Sequence, residues 1–151
     1  MVEAARTLPV GSVELHHHGP IHDEAYAKEL RNSAGPLALT LHGRFEPRQL
    51  PGRLTSIDLA VHPSLFLETY GFTTDEALHF GIPVLVPDRG APVERIGTRG
   101  ASFRAGDAAD LAKLLHDLIR APGRLAQLRS GSMGPMVTWD QHTQELSRLY
   151  A

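Results

Sequence analysis

The sequence predicts an α/β fold, in which an open parallel sheet of the doubly wound type is flanked by helices. Short apolar runs alternate along the chain with segments of helical character, and continuous apolar runs are typical of strands buried on both faces. Helices between successive strands indicate parallel pairing, because parallel neighbours need crossover connections. The 151 residues are 42% hydrophobic, which is enough for one domain with its own core. We therefore expect a single domain over residues 1–151.

Five elements are predicted in the first half of the chain. Glycine and proline mark their ends, since Gly19-Pro20 follows the first strand and Gly43 follows the second. Pro47 stands where a helical turn begins, a position that tolerates the missing N–H of proline. The elements are, in order, a strand over residues 10–16, a helix over residues 23–32, a strand over residues 36–42, a helical turn over residues 47–54 and a strand over residues 57–61.

The second half predicts seven further elements. Thr73 or Thr74 can cap the first helix, and Gly81 ends it. Asp107 can cap the clearest helix, whose leucines recur at helical spacing. Trp139 is expected to anchor the terminal helix by packing. The elements are a helix over residues 74–80, a strand over residues 83–87, a helical turn over residues 92–96, a strand over residues 101–103, helices over residues 107–120 and 122–129, and, after a flexible linker over residues 130–135, a helix over residues 139–150 in the terminal segment 136–151.

The composition excludes several classes of function. Lysine and arginine number 15 against 17 acidic residues, and this net charge of −2 disfavours a nucleic-acid binder that works by charge. The absence of cysteine excludes a disulfide scaffold, a thiolate zinc site and a thiol nucleophile. No apolar stretch approaches the ~18 residues of a membrane-spanning helix, and the N-terminus lacks the pattern of a signal peptide. We expect a soluble, cytoplasmic domain.

The segment after the third predicted strand carries the residues best suited to chemistry. Glu68 and Glu76 are separated by seven residues, the first in the loop that leaves the strand and the second in the first turns of the next helix. Ligands of doubly wound sheets bind beyond the carboxyl ends of the strands. Gly71 lets the backbone approach a ligand closely, and the N–H groups of a helix start favour an anion such as phosphate. Two carboxylates beside such a start can accept hydrogen bonds from sugar or ribose hydroxyls, so the pattern indicates a diphosphate that links two sugars.

These residues also stand in the order of a known motif. The sequence resembles the C-terminal, donor-binding domain of retaining GT-B glycosyltransferases of the family 4 type, which is marked by Glu-x7-Glu. The resemblance extends to the HGP after the first strand, the HGR after the second and the ending at Tyr150, so it covers nearly the whole chain. It implies a Rossmann-like domain, one half of a GT-B fold. The motif residues in this chain are Pro63-Ser64, Glu68, Gly71, Glu76-Ala77, Gly81 and Pro83-Val84.

The resemblance implies a reaction and its substrates. A hexosyl group would pass from a nucleotide sugar to a glycan or lipid-linked acceptor, with retention at the anomeric carbon and with neither a metal nor another cofactor. The family commonly acts in bacterial polysaccharide biosynthesis in the cytoplasm. In a full-length protein an N-terminal domain would bind most of the acceptor, and peripheral contact with the inner face of the cell membrane is compatible with this arrangement.

Roles for individual residues follow from the resemblance alone. Glu68 would contact the donor sugar near the reacting centre and is the predicted catalytic residue. Glu76 would accept hydrogen bonds from the two ribose hydroxyls. The remaining donor-binding residues would act largely through backbone atoms around the diphosphate, the sugar and the base; they are Gly71, Phe72, Thr73, Gly43, Arg44 and Ser64.

The sequence departs from the family at its N-terminus. Family members hold the diphosphate with a basic pair on the first βα unit of this domain, and the sequence begins after the point where that unit would lie. Arg6 is the only basic residue before the first predicted strand, and Lys28 follows that strand. The acceptor-binding domain is also absent from the sequence. We therefore expect residues 1–151 to be part of a longer enzyme and to bind the donor weakly without catalysing transfer.

Two structural alternatives stay open at this point. Glu68 and Glu76 are also compatible with solvated carboxylates beside a helix start, where acidic residues are common. His16, His17 and His18 suggest a metal, but strand alternation places His17 on the opposite face, so the three cannot readily converge on one ion. No partner at a matching spacing is evident, although His22 is close in the sequence, and a histidine-rich strand end is the favoured interpretation.

Two functional alternatives also stay open. A non-catalytic module of the same fold would bind nucleotide or carbohydrate or hold a partner, and an upstream reading frame encoding the rest of an enzyme would reject it. Another GT-B relative, such as a sugar-nucleotide epimerase or a phosphorylase, would differ at the Glu68 loop. Product analysis on a full-length protein separates that case.

Overall fold

The computed structural model describes residues 1–131 and 138–150, and these residues alternate between parallel strands and helices. The strands are β1 (Glu14–His17), β2 (Ala38–Leu41), β3 (Ala60–Val61), β4 (Val84–Pro87) and β5 (Gly100–Phe103). The helices are α1 (Val2–Ala5), α2 (Glu24–Ala34), α3 (Leu50–Leu54), α4 (Phe72–His79), α5 (Ala91–Arg95), α6 (Ala108–Arg120), α7 (Pro122–Ser130) and α8 (Trp139–Leu149), with a 3-10 turn over Pro47–Gln49.

The strands form two parallel sheets. In the first sheet β1 pairs with β2, so that Glu14 lies opposite Ala38. In the second sheet the order is β3-β4-β5. The predicted α/β class with parallel strands is therefore confirmed, while the single sheet that we expected is divided. Among the described residues β1 pairs only with β2 and β3 pairs only with β4, so no strand joins the two sheets.

The core lies on both faces of β4. Leu85 is fully buried and belongs to a cluster with Phe103 of β5. Its neighbours Val84 and Val86 point to the other face and pack in a second cluster. Burying one such aliphatic side chain contributes about 1.5–3 kcal/mol. The first cluster also holds Ala4, Leu8, Leu111, Leu115 and Leu118, and the second holds Ala77, Leu78, Ile82 and Ile96.

Several predicted boundaries differ from the structure. The first strand begins at Glu14 instead of residue 10, because Gly11 is left-handed and the N–H of Ser12 donates to the carbonyl of Pro9 in a turn. The third strand is reduced to two paired residues. Helix α1 has no counterpart in the prediction, and it packs against α6 and α2.

The cap of α4 also differs from the prediction. Gly71, and neither Thr73 nor Thr74, is the N-cap, since the N–H of Thr74 already donates to the Gly71 carbonyl at 3.0 Å. The helix consequently begins two residues earlier than predicted. This shift brings Phe72 and Thr73 into its first turn.

The longest helix follows the prediction closely, whereas the last one does not pack as expected. A carboxylate oxygen of Asp107 accepts hydrogen bonds from the N–H groups of Ala109 and Asp110, both at 3.0 Å, so Asp107 caps α6. Trp139 is 81% exposed, so the packing anchor predicted for α8 is wrong. Most of the predicted linker, residues 132–135, and the first residues of the terminal segment, 136–137, lie outside the described residues, as does Ala151. None of the described helices has the length and apolar character to cross a membrane.

Candidate active site

Glu68 lies in the loop that leaves β3, at the carboxyl edge of the three-stranded sheet. Its side chain is 39% exposed. One carboxylate oxygen accepts a hydrogen bond from the Ser64 hydroxyl at 3.2 Å, and the same hydroxyl accepts from the N–H of Phe66 at 3.2 Å. These bonds close a tight turn, which holds the carboxylate at the sheet edge while leaving it open to a ligand.

His62 connects this carboxylate with the start of α4. Its N–H donates to the carbonyl of Leu85 at 2.8 Å, which continues the β3–β4 ladder, and its side chain is only 13% exposed. One ring nitrogen, Nε2, lies 3.7 Å from a Glu68 oxygen. The other, Nδ1, lies 3.1 Å from the Thr73 hydroxyl and 3.4 Å from the Thr74 hydroxyl. The imidazole thereby joins the two parts of the predicted site.

The start of α4 presents backbone donors beside this cluster. Gly71 has a φ of 85°, a left-handed conformation that glycine adopts without strain. Among the described residues nothing accepts a hydrogen bond from the N–H of Phe72 or Thr73. Unsatisfied N–H groups at a helix N-terminus, together with its dipole, favour an anion.

A second loop, which follows β4, contacts the backbone of Glu68. The N–H of Ala91 donates to the Glu68 carbonyl at 3.0 Å. A Cβ at Gly90 would lie 2.9 Å from that carbonyl oxygen, and a Cβ at Gly71 would lie 2.9 Å from Cγ of Pro92. The two loops therefore touch through their backbones, so the position of Glu68 depends on α5 as well as on β3.

Glu76, Gly43 and Arg44 stand apart from this cluster. Glu76 lies in the second turn of α4 and is exposed, and its carboxylate has no hydrogen bond or ion pair to a described residue. Gly43 and Arg44 follow β2 in the other sheet, where the Gly43 carbonyl accepts from the N–H of Gly19 at 3.1 Å. No hydrogen bond within the described ranges joins them to the Glu68 cluster. The roles of all three, like those of the other predicted site residues, stay predictions.

Three histidine rings lie together at the carboxyl ends of β1 and β2. The sequence did not indicate that a further histidine lies beside residues 16–18. In the structure this histidine is His42, which the parallel register of β1 and β2 places next to His18. Nδ1 of His16 lies 2.9 Å from Nε2 of His42 with ring centroids 5.2 Å apart, so these two rings meet edge to edge. His18 and His42 stack at 4.2 Å with planes inclined by 10°.

His18 and His42 are joined by stacking and His16 and His42 by a hydrogen bond, while Nδ1 of His18 is buried and has no hydrogen-bond partner among the described residues. The planes of the three rings are inclined to one another by 10° to 23°. Within residues 1–131 and 138–150 there is no group of three or more His, Cys, Asp or Glu side chains that could hold a metal ion.

The histidine cluster predicts a pH dependence of stability. Burial lowers the pKa of His18 below its ordinary value of 6.5, with His42 adding to the shift, and desolvation followed by His16 lowers the pKa of His42. The unfolded chain then binds more protons on these rings than the folded chain, so the free energy of unfolding should fall as the pH falls below 6.5. Urea denaturation between pH 7.5 and pH 5, as rough limits around that pKa, measures the slope.

Substitution identifies the source of that slope. His42→Gln should flatten it, whereas His22→Gln, a change at an exposed histidine on the loop before α2, should leave it in place. Equal slopes in the wild type and in His42→Gln would contradict the assignment.

A hollow of about 250 Å³ lies at the opposite edge of the three-stranded sheet. It is lined by residues 54–58, which precede β3, by residues 80–82, which precede β4, and by Arg129. Ligands of doubly wound folds bind at the carboxyl ends of the strands, and this hollow is at the amino ends. We therefore assign the candidate site to the surface around Glu68.

Sequence reasoning missed His62 as a member of the site. The residue stands alone in the sequence, directly before the Pro63-Ser64 pair, and no spacing links it to an acidic partner. Its position immediately after a buried strand was the available signal, because side chains at the carboxyl ends of parallel strands face the binding edge.

Comparison with known proteins gives the family and the fold. Residues 2–121 match the model of a family described as glycosyl transferases group 1. No curated protein matches the chain. Solved structures that share the fold include Anabaena HepE in complex with UDP, which matches with a TM-score of 0.74 and 23% identity over 85% of this chain and 37% of HepE. Sucrose-phosphate synthase from Thermosynechococcus elongatus matches with a TM-score of 0.71 and 19% identity over 99% of this chain and 40% of the synthase. TarM matches with a TM-score of 0.75 and 20% identity over 99% of this chain and 32% of TarM. The chain thus spans about two fifths or less of the length of these proteins.

Proposed function

The chain belongs to the family of group 1 glycosyl transferases, and from this premise we propose that it forms the nucleotide-sugar-binding part of a retaining glycosyltransferase. The observation that carries the proposal is the cluster in which His62 links the Glu68 carboxylate to the start of α4. Hydrogen-bond acceptors for a sugar and backbone donors for a diphosphate stand side by side there. A nucleotide sugar requires this pairing of groups.

The proposed reaction uses these groups in defined ways. The bond between the anomeric carbon and the diphosphate oxygen breaks, and its electron pair leaves with the diphosphate. The N–H groups of Phe72 and Thr73 would stabilise the growing negative charge, while Glu68 faces the positive charge on the sugar. The acceptor hydroxyl then bonds to the same face of the anomeric carbon, and its proton passes to the departing diphosphate. No metal is required in this scheme.

The nucleotide is proposed to be a uridine diphosphate. HepE, with which this chain shares its fold, has been crystallised with UDP, with UDP and glucose, and with UDP-glucose. These ligands make UDP and UDP-glucose the first probes for this chain. Under the proposal the base would lie towards Gly43 and Arg44 and the ribose towards Glu76.

The acceptor is proposed to be a glycan or a lipid-linked glycan handled in the cytoplasm or at the inner face of the membrane. Support for an apolar acceptor comes from the turn that holds Glu68. Leu65, Phe66 and Leu67 are 64%, 81% and 71% exposed, although the turn is closed by hydrogen bonds and fixed by Arg89, which donates to the Leu65 carbonyl at 2.5 Å. Three apolar side chains are thereby held in solvent next to the proposed catalytic carboxylate.

Substitution of Glu68 tests the proposal directly. Glu68→Gln should weaken binding of UDP-glucose to the 151-residue chain by roughly tenfold, about the value of one charge-assisted hydrogen bond, while the affinity for UDP stays unchanged. Amide-shift titrations with the two ligands measure both dissociation constants. GDP and ADP serve as controls for the base.

The outcomes separate the alternatives. Equal losses for UDP and UDP-glucose would remove the carboxylate from the sugar site. Absence of shifts at millimolar UDP, GDP and ADP in the wild type would contradict nucleotide binding by this chain. Binding with the predicted pattern in a protein whose full-length form transfers no sugar would favour the non-catalytic module.

A further inference from the structure

Arg95, the last residue of α5, contacts the proposed donor-binding loop although it is 25 residues away from Tyr70 in the sequence. Its guanidinium carbon lies 3.9 Å from the centre of the Tyr70 ring. Its Nη1 donates to a carboxylate oxygen of Asp75 at 2.9 Å. Tyr70 stands directly before Gly71, and Asp75 lies in the first turns of α4, so one side chain spans the start of that helix.

The ion pair between Arg95 and Asp75 is protected from solvent. The side chains of Arg95 and Asp75 are 15% and 13% exposed, and such a pair is much less screened than the exposed ion pairs of this chain. The second carboxylate oxygen of Asp75 is buried and has no hydrogen-bond partner among the described residues. The carboxylate consequently depends on Arg95 for its compensation.

The same short helix holds the loop at its other end. Ala91 donates to the Glu68 carbonyl and Pro92 abuts Gly71, as described above. Helix α5 therefore contacts the segment 68–75 at two places. Its first residues, Ala91 and Pro92, contact Glu68 and Gly71. Its last residue, Arg95, pairs with Asp75 and lies over the face of the Tyr70 ring. The free N–H groups of Phe72 and Thr73 lie in the chain between Gly71, which Pro92 contacts, and Asp75, which Arg95 contacts.

We propose that Arg95 is a positioning residue for the donor diphosphate: it holds Tyr70 and Asp75 so that the N–H groups at the start of α4 keep the geometry of an anion site. Arg95 itself does not touch the donor. This inference rests on the proposed function for the identity of the ligand. The arrangement of the segment can be measured without any ligand.

The test compares substitutions at Arg95 by amide hydrogen exchange and by UDP titration of the 151-residue chain. Arg95→Met keeps the apolar stem and removes the charge. Exchange at residues 74 and 75, whose N–H groups donate to the Gly71 carbonyl, should rise about tenfold relative to residues 111–118 of α6, and UDP affinity should fall about tenfold, since a cation–π contact and a buried ion pair are lost together. Arg95→Lys should restore part of both, because an ammonium can pair with Asp75 but lacks the planar face that stacks on Tyr70.

Two matched controls complete the experiment. Arg31→Met removes the exposed ion pair to Glu24, at 4.0 Å on α2, and should change neither readout at the start of α4. Tyr70→Phe keeps the ring under the guanidinium and should behave as the wild type. If Arg95→Met unfolds the chain, Arg95→Lys decides the inference by the same two measurements.

The results that would overturn the inference are distinct from failure of the proposed function. Unchanged exchange at residues 74 and 75 in Arg95→Met, or an equal rise there and in α6, would show that Arg95 contributes nothing local. A wild-type chain that binds no UDP would contradict the proposed function, whereas the exchange measurement would still decide whether Arg95 holds this segment.

Discussion

Replacing Glu76 with alanine is expected to weaken binding of UDP to the 151-residue chain by about 1.5–3 kcal/mol, the value of charge-assisted hydrogen bonds to a carboxylate. This corresponds to a loss of roughly 10- to 150-fold in affinity. The structure places Glu76 in the second turn of α4, exposed and with no partner for its carboxylate in the described part of the chain. Its carboxylate is therefore available to the two ribose hydroxyls at no cost to an existing contact.

Because the Glu76 carboxylate has no partner among the described residues, an effect of its removal on UDP binding can be distinguished from an effect on stability. Because no described residue pairs with Glu76, its removal should leave the free energy of unfolding within about 0.5 kcal/mol of the wild type. Glu29→Ala, at an exposed position of α2, is the matched control and should change neither stability nor UDP affinity. Undiminished UDP affinity in Glu76→Ala would rule out the ribose role.

The roles of Glu76 and Glu68 can then be distinguished by which ligand loses affinity when each residue is substituted. Glu76→Ala should weaken UDP and UDP-glucose alike, since both carry the ribose, whereas Glu68→Gln should weaken UDP-glucose alone. A pair of carboxylates that merely occupy a helix start would show neither selectivity. This contrast is what distinguishes a donor site from the structural interpretation of the two glutamates.

The strands and helices were predictable where local pattern and burial agree. The run that became β4 is apolar at every position, and the structure buries it on both faces. Asp107 and the spacing of the leucines specified α6 completely, because capping and periodicity act within one segment. The lengths of β1 and β3 were not predictable, since pairing depends on a partner that the local sequence does not reveal.

The site was predictable in its motif and unpredictable in its contacts. Glu68, Gly71 and Glu76 follow from spacing, and the structure places Glu68 and Gly71 in the same loop, between β3 and α4. His62 joins them only because the chain turns tightly between residues 64 and 68. His42 meets the histidine run through the register of β1 and β2. Arg95 reaches Tyr70 across a whole βα unit, and such long-range juxtapositions leave no periodic trace in a single sequence.

Gly71→Ala is expected to have the largest effect on the folded chain. An L-residue in the left-handed region costs about 1–2 kcal/mol, and Gly71 has a φ of 85°. The new methyl group would also lie 2.9 Å from Cγ of Pro92, whose ring cannot rotate away. Overpacking of this kind adds about 1–3 kcal/mol. Urea denaturation should show a loss of roughly 2–5 kcal/mol, a large part of the ~5–15 kcal/mol that stabilises a typical domain.

Gly11→Ala isolates the part of this loss that belongs to the site. Gly11 is also left-handed, with a φ of 77°, but a Cβ there would meet nothing within 4 Å. It should lose only the conformational term and retain UDP binding. Equal losses of stability in the two variants would mean that the loop after β4 yields to the methyl group. A Gly71→Ala chain that remains folded but no longer binds UDP, beside a Gly11→Ala chain that binds it normally, would show that the close approach of Gly71 to Pro92 sets the geometry of the anion-binding N–H groups.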